Sequence, residues 1–325
     1  MPAQFSLIRG NLIVVTVDGC RNLAENDRMV SIIKDGLLIV TGAGGHIGSE
    51  VCRLLRTAEA KFVAVDVDPG TTKDLTRCDL RLKDQMSRLF QSHPVRAIIH
   101  LAAILPSAFH SSPLAGVEVN LNGCFELIRQ AVNAKVKRFV FASSMSVYGS
   151  AYTRRPLSEE NPAAPDEPYG ASKRVVELVG ETLASGQAIE FVSLRIARVI
   201  GPGIKKTSSP WRSQIFDLTS GHEPIHIPFA PEAVLSLVHV EDVARMLVTL
   251  AQTPEVRSSI YNTPVETWEA RGLKQLIEEV RDVRVELGRD GAHGGPICDG
   301  SRFAEEFGFQ LRGLRERLPH RQLRS

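Results

Sequence analysis

Three glycines, Gly42, Gly45 and Gly48, stand in the run Thr41-Gly-Ala-Gly-Gly-His-Ile-Gly48, directly after one apolar stretch and directly before a helical pattern. Glycine at this spacing serves a tight strand-to-helix turn whose backbone must come close to something else. The pattern predicts a buried strand over 37–40 and a helix over 47–57. The unpaired N–H groups and the positive dipole end of that helix then face out of the turn, a cradle suited to a pyrophosphate. Gly42, Gly45, His46, Ile47 and Gly48 are the expected cradle residues, with His46 a spacer rather than a catalyst.

The following chain repeats the alternation. Strands are expected over 62–65, 97–100, 138–142 and 191–196, and helices over 81–90, 114–134 and 168–185. Residues 98–99 and 139–141 are continuously apolar, so both faces of their strands need covering, as in a parallel α/β sheet. Residues 153–168, rich in Pro, Glu and Arg, read as a surface loop. From Gly201 the alternation loosens and strand signals become sparse. That tail, with helices over 270–280 and 301–307, reads as a smaller lobe over the carboxyl edge of the sheet. Residues 1–28 read as a peripheral extension, although 12–17 has strand character, and Met29 makes a natural beginning.

Composition narrows the partners. The 325 residues, 43% apolar and 23% charged, suffice for one large α/β unit or two modest domains. Lys and Arg number 39 against 37 Asp and Glu, so no global field favours nucleic acid or a membrane surface. No apolar run approaches the ~18 residues of a membrane span; the stretch 95–105 is broken by Arg96 and His100. The five cysteines are far apart and without C-x-x-C spacing, which argues against a disulfide framework or a structural zinc site. No metal is expected, and a reducing, cytoplasmic location suits this usage. No basic start followed by a long apolar run marks secretion.

Asp66 closes the second expected strand, eighteen residues after Gly48. A carboxylate there can accept hydrogen bonds from the ribose hydroxyls of an adenosine and would repel a 2′-phosphate, which favours NAD over NADP. Asp79, followed by Leu80, can present a carboxylate to the adenine amino group or remain a solvated turn residue. Tyr169 and Lys173 are four residues apart on one helix face. A phenol is a poor base at neutral pH, and a nearby ammonium favours its ionised form. Ser144 and Ser146 follow the 138–142 strand, at the sheet edge where ligands sit, and Ser144 precedes the tyrosine by twenty-five residues.

These segments resemble the extended short-chain dehydrogenase/reductase family, in its NAD-dependent epimerase and dehydratase branch. The resemblance rests on 41–48, Val-Asp at 65–66, Asp-Leu at 79–80, His-Leu-Ala-Ala at 100–103 and Asn-Leu-Asn-Gly at 120–123. It continues through 143–149, Tyr-Gly-Ala-Ser-Lys at 169–173 and Val-His-Val-Glu-Asp-Val-Ala at 238–244, covering about 37–265. It implies an α/β, Rossmann-type doubly wound parallel sheet with a small C-terminal substrate-binding lobe. The expected division is an NAD-binding domain over 29–198, continued by 238–263, with the lobe built from 199–237 and 264–325. It further implies Tyr169 as acid/base, Lys173 as its partner and ribose ligand, and Ser144 as the donor to a substrate hydroxyl. Leu101, Ala102 and Ala103 would line the cofactor groove, and Asn120 would order the site. Family members often form homodimers through two helices. Residues 114–134 and 168–185 are the candidates here, although core packing would give them the same apolar faces.

The chain also departs from the nucleotide-sugar pattern. Leu235-Ser236 stands where Arg-Asp usually precedes the histidine motif, Arg198 stands where an Asn is common, and Leu105 replaces an occasional Lys. Each lost charge-assisted contact costs about 1.5–3 kcal/mol, which weighs against a diphosphate substrate. The run His-Leu-Ala-Ala-Ile-Leu resembles threonine dehydrogenases of the same superfamily, and small-acid substrates would make Arg198 and Arg212 carboxylate ligands. The expected activity is hydride transfer at a secondary alcohol of a sugar or small polyhydroxy or hydroxy acid. The alternatives are a UDP-glucose type 4-epimerase and a non-catalytic NAD(P)-binding regulator.

Overall fold

The structure, a computed structural model, describes residues 36–68, 74–91, 94–150, 155–186, 189–203, 209–217, 223–281, 283–289 and 294–319. The expected extension over 1–28, its strand at 12–17 and the start at Met29 lie outside the described residues.

The first half is built of β1 (Leu37–Thr41), α1 (His46–Thr57), β2 (Phe62–Asp66), β3 (Leu75–Arg77), α2 (Lys83–Gln91) and β4 (Val95–His100). Two short helices follow, α3 (Pro106–Ser111) and α4 (Pro113–Val117), then a π-helical turn (Glu118–Gly123), α5 (Cys124–Asn133) and β5 (Arg138–Ser144). After a 3-10 turn over Met145–Tyr148 come α6 (Pro168–Ala184), β6 (Glu190–Ile196) and β7 (Arg198–Ile200). The remainder is α7 (Trp211–Gln214), β8 (Ile225–Ile227), β9 (Val234–His239), α8 (Val240–Gln252), β10 (Ile260–Asn262) and β11 (Glu266–Glu269). It closes with α9 (Ala270–Arg281), β12 (Val285–Leu287), α10 (Ser301–Phe307) and α11 (Leu314–Arg317).

Seven strands form one parallel sheet in the order β10-β6-β5-β4-β1-β2-β3. Sequence neighbours run one way from β1 to β3 and the other way from β4 to β6. The connections therefore diverge between β1 and β4, leaving a crevice above the carboxyl ends of those two strands. Both faces are covered, which explains the unbroken apolar runs. Val51, Cys52 and Leu55 of α1, with Val243, Met246 and Leu247 of α8, bury one face with Val40 and Ile99. Cys124, Leu127, Ile128 and Ala131 of α5 cover the other with Ile98 and Phe139, at the i, i+3, i+4, i+7 spacing of an amphipathic helix.

Two expectations need correction. The helix expected over 114–134 is broken into α4, the π turn and α5. Asn120 within that turn clasps Ile104, accepting from its N–H at 2.8 Å and donating to its carbonyl at 2.9 Å, and Gly123 lies against Leu80, where a Cβ would come within 3.0 Å. The wider turn accommodates both contacts, as such insertions do near functional sites. The tail beyond Gly201 is also richer in strands than its sequence suggested: β9 lies between β7 and β11, and β8 pairs with β12. These strands are three to six residues long, and β11 reads Glu-Thr-Trp-Glu, so hydrophobic periodicity has little to register. They enclose Trp211, Ile225, Leu235, Leu273 and Ile277 in a core of their own.

The C-terminal segment is pinned by charge. Arg317, only 5% exposed, donates to Glu241 Oε2 at 2.7 Å and Asp242 Oδ1 at 2.8 Å, at the start of α8. It also donates to His239 Nδ1 at 2.9 Å, which makes that nitrogen an acceptor and leaves the ring neutral; burial and the arginine push its pKa down to about 4. Asp242 is 1% exposed, and breaking such a buried pair strands a charge. Arg317→Ala is expected to lower unfolding free energy by about 3 kcal/mol in urea titration; a loss below about 0.5 kcal/mol, the range of ordinary surface substitutions, would show that the segment is not anchored there.

Candidate active site

The glycine turn lies at the carboxyl end of β1, on one wall of the crevice. Gly42 has φ +67°, and a Cβ there would come within 2.6 Å of the Ala102 nitrogen. At Gly48 a Cβ would meet the Gly42 carbonyl at 2.1 Å, so the first turn of α1 can press onto the loop only without a side chain. Gly45 is the N-cap of α1 and brings no side-chain cap, which leaves the first N–H groups of the helix free of side-chain partners. Asp66, at the end of β2, accepts from Gly44 N at 2.9 Å and Asp68 N at 3.1 Å and so borders the same loop.

The opposite wall is residues 101–104, held from two sides. Thr41 Oγ1 accepts from Leu101 N and Ala102 N, each at 3.3 Å, and is hydrogen-bonded to His100 Nδ1 at 2.7 Å. His100 is wholly buried and neutral, its pKa pushed down by desolvation and then by the Lys173 charge to about 3. Asn120 clasps Ile104 from the other side. Ala103, like Leu101 and Ala102, remains half-exposed to the crevice. Asp79 carries a bidentate ion pair with Arg81 that holds its carboxyl below the usual range, and Leu80 is buried.

Beside this groove, α6 begins at Pro168, with Glu167 as N-cap accepting from Tyr169 N at 2.9 Å. Tyr169, Lys173 and Glu177 are spaced i, i+4, i+8 along one face of α6. Ser144 lies near enough to the Tyr169 phenol to favour its ionised form. Ser144 also accepts from Ser146 N at 3.1 Å and lies 3.2 Å from the Ser146 hydroxyl, so the two serines form one small cluster. Burial, and then the charge of Glu167, raise the Tyr169 pKa above that of a free phenol, which the Ser144 contact opposes. Lys173 is buried, donates to the Ala142 carbonyl at 2.8 Å and lies 4.6 Å above the Phe141 ring and 5.6 Å from that of Tyr169. Desolvation lowers its pKa to about 8, against the raising influence of Cys124 and Glu177.

Glu177 was not among the residues singled out by sequence, although its spacing after Lys173 was a usable signal. It is buried and accepts from Ser143 Oγ at 2.6 Å, from Arg195 Nε at 2.9 Å and Nη2 at 2.8 Å, and from Arg174 at 3.0 Å. Arg195 reaches on to the Tyr148 hydroxyl at 2.8 Å, which donates to Ser158 O at 2.8 Å. The network ties β5, β6 and α6 together directly behind the serine and the lysine.

The two remaining candidates lie elsewhere on the rim. Arg198 opens β7 with its guanidinium 4.8 Å from the Phe229 ring, and its pKa is pushed down to about 10 by burial and then by the nearby Arg212. Arg212, on α7, is likewise lowered by burial, and its charge also acts on His46. His46 Nε2 is buried without a partner, and desolvation brings that ring to a pKa of about 4. Among the described residues neither arginine shows a hydrogen bond to Ser144, Tyr169 or Lys173; Arg198 donates to the Gly294 carbonyl and Arg212 to that of Ser209. Among the described residues no cluster of His, Cys, Asp and Glu could hold a metal, and no helix is long and apolar enough to cross a membrane.

Comparison with known proteins bears on this arrangement. A UDP-glucose 4-epimerase of Halalkalibacterium halodurans is 29% identical over 171 residues, 50% of this chain and 51% of that protein. The chain spans about half the length of that curated relative, and 69% of a Vibrio cholerae UDP-glucose 4-epimerase to which it is 26% identical. The Thermus thermophilus UDP-glucose 4-epimerase in complex with NAD shares the fold with a TM-score of 0.75 at 24% identity, over 87% of this chain and 97% of that one. An L-threonine dehydrogenase from Phytophthora infestans does so with a TM-score of 0.78 at 21% identity, over 85% and 94%. Residues 38–263, from β1 to the last strand of the large sheet, match the profile of the NAD dependent epimerase/dehydratase family, and the chain belongs to that family.

Proposed function

We propose that the protein is an NAD-dependent oxidoreductase or epimerase acting at a secondary alcohol of a sugar or a small polyhydroxy or hydroxy acid. The observation that carries this reading is the placement of Tyr169 and the buried Lys173 ammonium on one face of α6, 5.6 Å apart, next to Ser144 at the end of β5 and the edge of the glycine-lined crevice. The crevice suits a dinucleotide: its walls come together only at glycine, the start of α1 offers N–H groups, and Asp66 stands at the end of β2. Gly42, Gly45, His46, Ile47 and Gly48 would hold the pyrophosphate, Asp66 the adenosine ribose, Asp79 and Leu80 the adenine side, and Leu101, Ala102, Ala103, Asn120, Tyr169 and Lys173 the far half. NAD, when bound, supplies a hydride acceptor and, oxidised, a positive charge.

The chain's own part is proton transfer and positioning. Ser144 holds the reacting oxygen, and Tyr169 takes the hydroxyl proton in oxidation or returns it in reduction. Since burial holds Tyr169 protonated, it works as an acid without help and as a base only with positive charge close by. Lys173 supplies that charge from the same helix face. Release of the oxidised product gives net dehydrogenation, and its retention and re-reduction on the other face gives epimerisation. A UDP-glucose type 4-epimerase is therefore the second reading, favoured by the curated relatives.

A stripe of apolar side chains supports a homodimer. Val175, Leu178, Val179 and Leu183 are 39%, 51%, 37% and 45% exposed on the outer face of α6, and Leu114 on the adjoining α4 is 81% exposed. Their i, i+3, i+4, i+8 spacing is that of a helix face meant for another helix, here the same face of a second copy.

Tyr169→Phe is expected to reduce turnover by at least about a hundredfold, followed at 340 nm, with NAD affinity unchanged within twofold; undiminished turnover would take the tyrosine out of its role. The charge of Lys173 is open to a separate test. Its folded pKa, about 8, lies below the unfolded value, so the folded chain binds fewer protons between about pH 8 and 10.5 and stability rises across that window. Relative to Lys173→Met, the wild type should gain up to about 3 kcal/mol in urea unfolding between pH 7 and pH 10.5, and a constant gap would mean the lysine is not held as a buried cation. Light scattering should report a dimer for the wild type and a monomer for Leu178→Glu with Leu183→Glu; identical masses would refute this interface.

A further inference from the structure

Two cations are buried where α6 packs on β5 and β6. Lys173 is 4% exposed and Arg195 2%, and the Glu177 side chain is wholly inside. Arg195 takes both oxygens of that carboxylate, from Nε and Nη2, and donates from Nη1 to the Tyr148 hydroxyl. Lys173 is less well matched. Among the described residues its three N–H groups have one acceptor, the Ala142 carbonyl at 2.8 Å, with the Phe141 ring 4.6 Å away. An ammonium buried with so few partners is driven towards the neutral amine unless an anion stands near it.

The groups around the lysine narrow the choice of that anion. His100 of β4 is neutral, burial pushes the Cys124 thiol of α5 up to about 12, and Tyr169 is held as a phenol. Glu167, at the head of α6, bears on the phenol. Arg174, 28% exposed, reaches Glu177 from the solvent side at 3.0 Å. Glu177 itself lies one helical turn beyond Lys173 on the same face, and its charge favours the ammonium. Its place is fixed from the sheet as well. Ser143 Oγ donates to it at 2.6 Å, and Ser143 stands between Ala142, which holds Lys173, and Ser144.

We infer that Glu177 is a positioning residue for the reaction: its carboxylate keeps Lys173 an ammonium in its buried place beside Tyr169. This rests on the hydride-transfer reading above and deepens it. A phenol held protonated by burial serves as a base only while positive charge stands next to it, and a neutral amine supplies none. Glu177 lies behind the crevice and acts through the lysine. Arg195 and Arg174 fix the carboxylate without taking over its role, because the shared helix brings the anion to Lys173 whereas the Arg195 guanidinium comes in from β6.

Carbon-13 NMR of the lysine Cε groups in the full chain reads this directly, with the Lys173 signal assigned by its loss in Lys173→Met. In the wild type that signal should titrate near pH 8. Glu177→Gln should lower the midpoint by at least about one pH unit, and Glu177→Asp, which keeps the charge, by less than half of that. Ser143→Ala cuts the tie to β5 without altering charge and should leave the midpoint in place. A one-unit fall cuts the charged fraction about threefold at pH 7.5 and hardly at all at pH 6, and kcat for oxidation in Glu177→Gln, relative to wild type, should follow it. An unmoved midpoint in Glu177→Gln, or an equal shift in Ser143→Ala, would overturn the proposal. So would a wild-type lysine already neutral at pH 7, or a kcat loss equal at both pH values. If Glu177→Gln does not fold, Glu177→Gln with Arg195→Met removes both halves of the ion pair; the midpoint should still fall, and its failure to do so would equally overturn the proposal. A lowered midpoint in a protein whose wild type turns over no alcohol would uphold the hold on Lys173 and count against the hydride-transfer reading.

Discussion

The close approach of backbone to backbone at the head of the sheet is the constraint on which the rest of the molecule depends. Gly48 must come down on the Gly42 carbonyl, and Gly42 on Ala102, for the first helix to sit beside the crevice at all. The parallel order around β1 and β4 makes that crevice, because the connections leave it in opposite directions. Its far wall is no looser: Thr41 and Asn120 spend their polar groups on the backbone of residues 101–104, and His100 holds the Thr41 hydroxyl in place. The groove is thereby rigid before anything binds in it, which is what precise placement of a reacting ring needs.

A second polar system holds Ser144, Tyr169 and Lys173. Glu177 and Arg195 form a buried ion pair whose remaining hydrogen-bonding capacity is taken up by Ser143, Arg174 and Tyr148. A buried pair adds little stability when set against an apolar alternative, but one so fully satisfied has a single geometry. It joins the strand that delivers Ser144 to the helix that delivers Tyr169 and Lys173. The serine, the phenol and the amine are thus set on two elements that cannot shift independently.

Charge then divides the carboxyl edge. Behind α6, each buried cation meets an anion or a carbonyl. On the β7 rim, Arg198 keeps an unmatched Nε beside a second arginine and a neutral His46.

Much of this was readable from spacing alone. The glycine turn, the alternating strands and helices of the large sheet, and the shared face of Tyr169 and Lys173 all arise from periods of two to eight residues, which a linear chain displays directly. The broken helix over 114–134 and the strands of the C-terminal tail were not readable, because a clasp on Ile104 and a few short, polar-edged strands leave no periodic trace. Nor could the chain tell Arg195 from Arg198: each is an arginine near the end of one apolar run. Only the fold set Glu177 against the first and left the second with a phenylalanine and a single carbonyl. Local pattern is written in neighbours along the sequence, whereas a buried charge is defined by its neighbours in space, and those are chosen by packing.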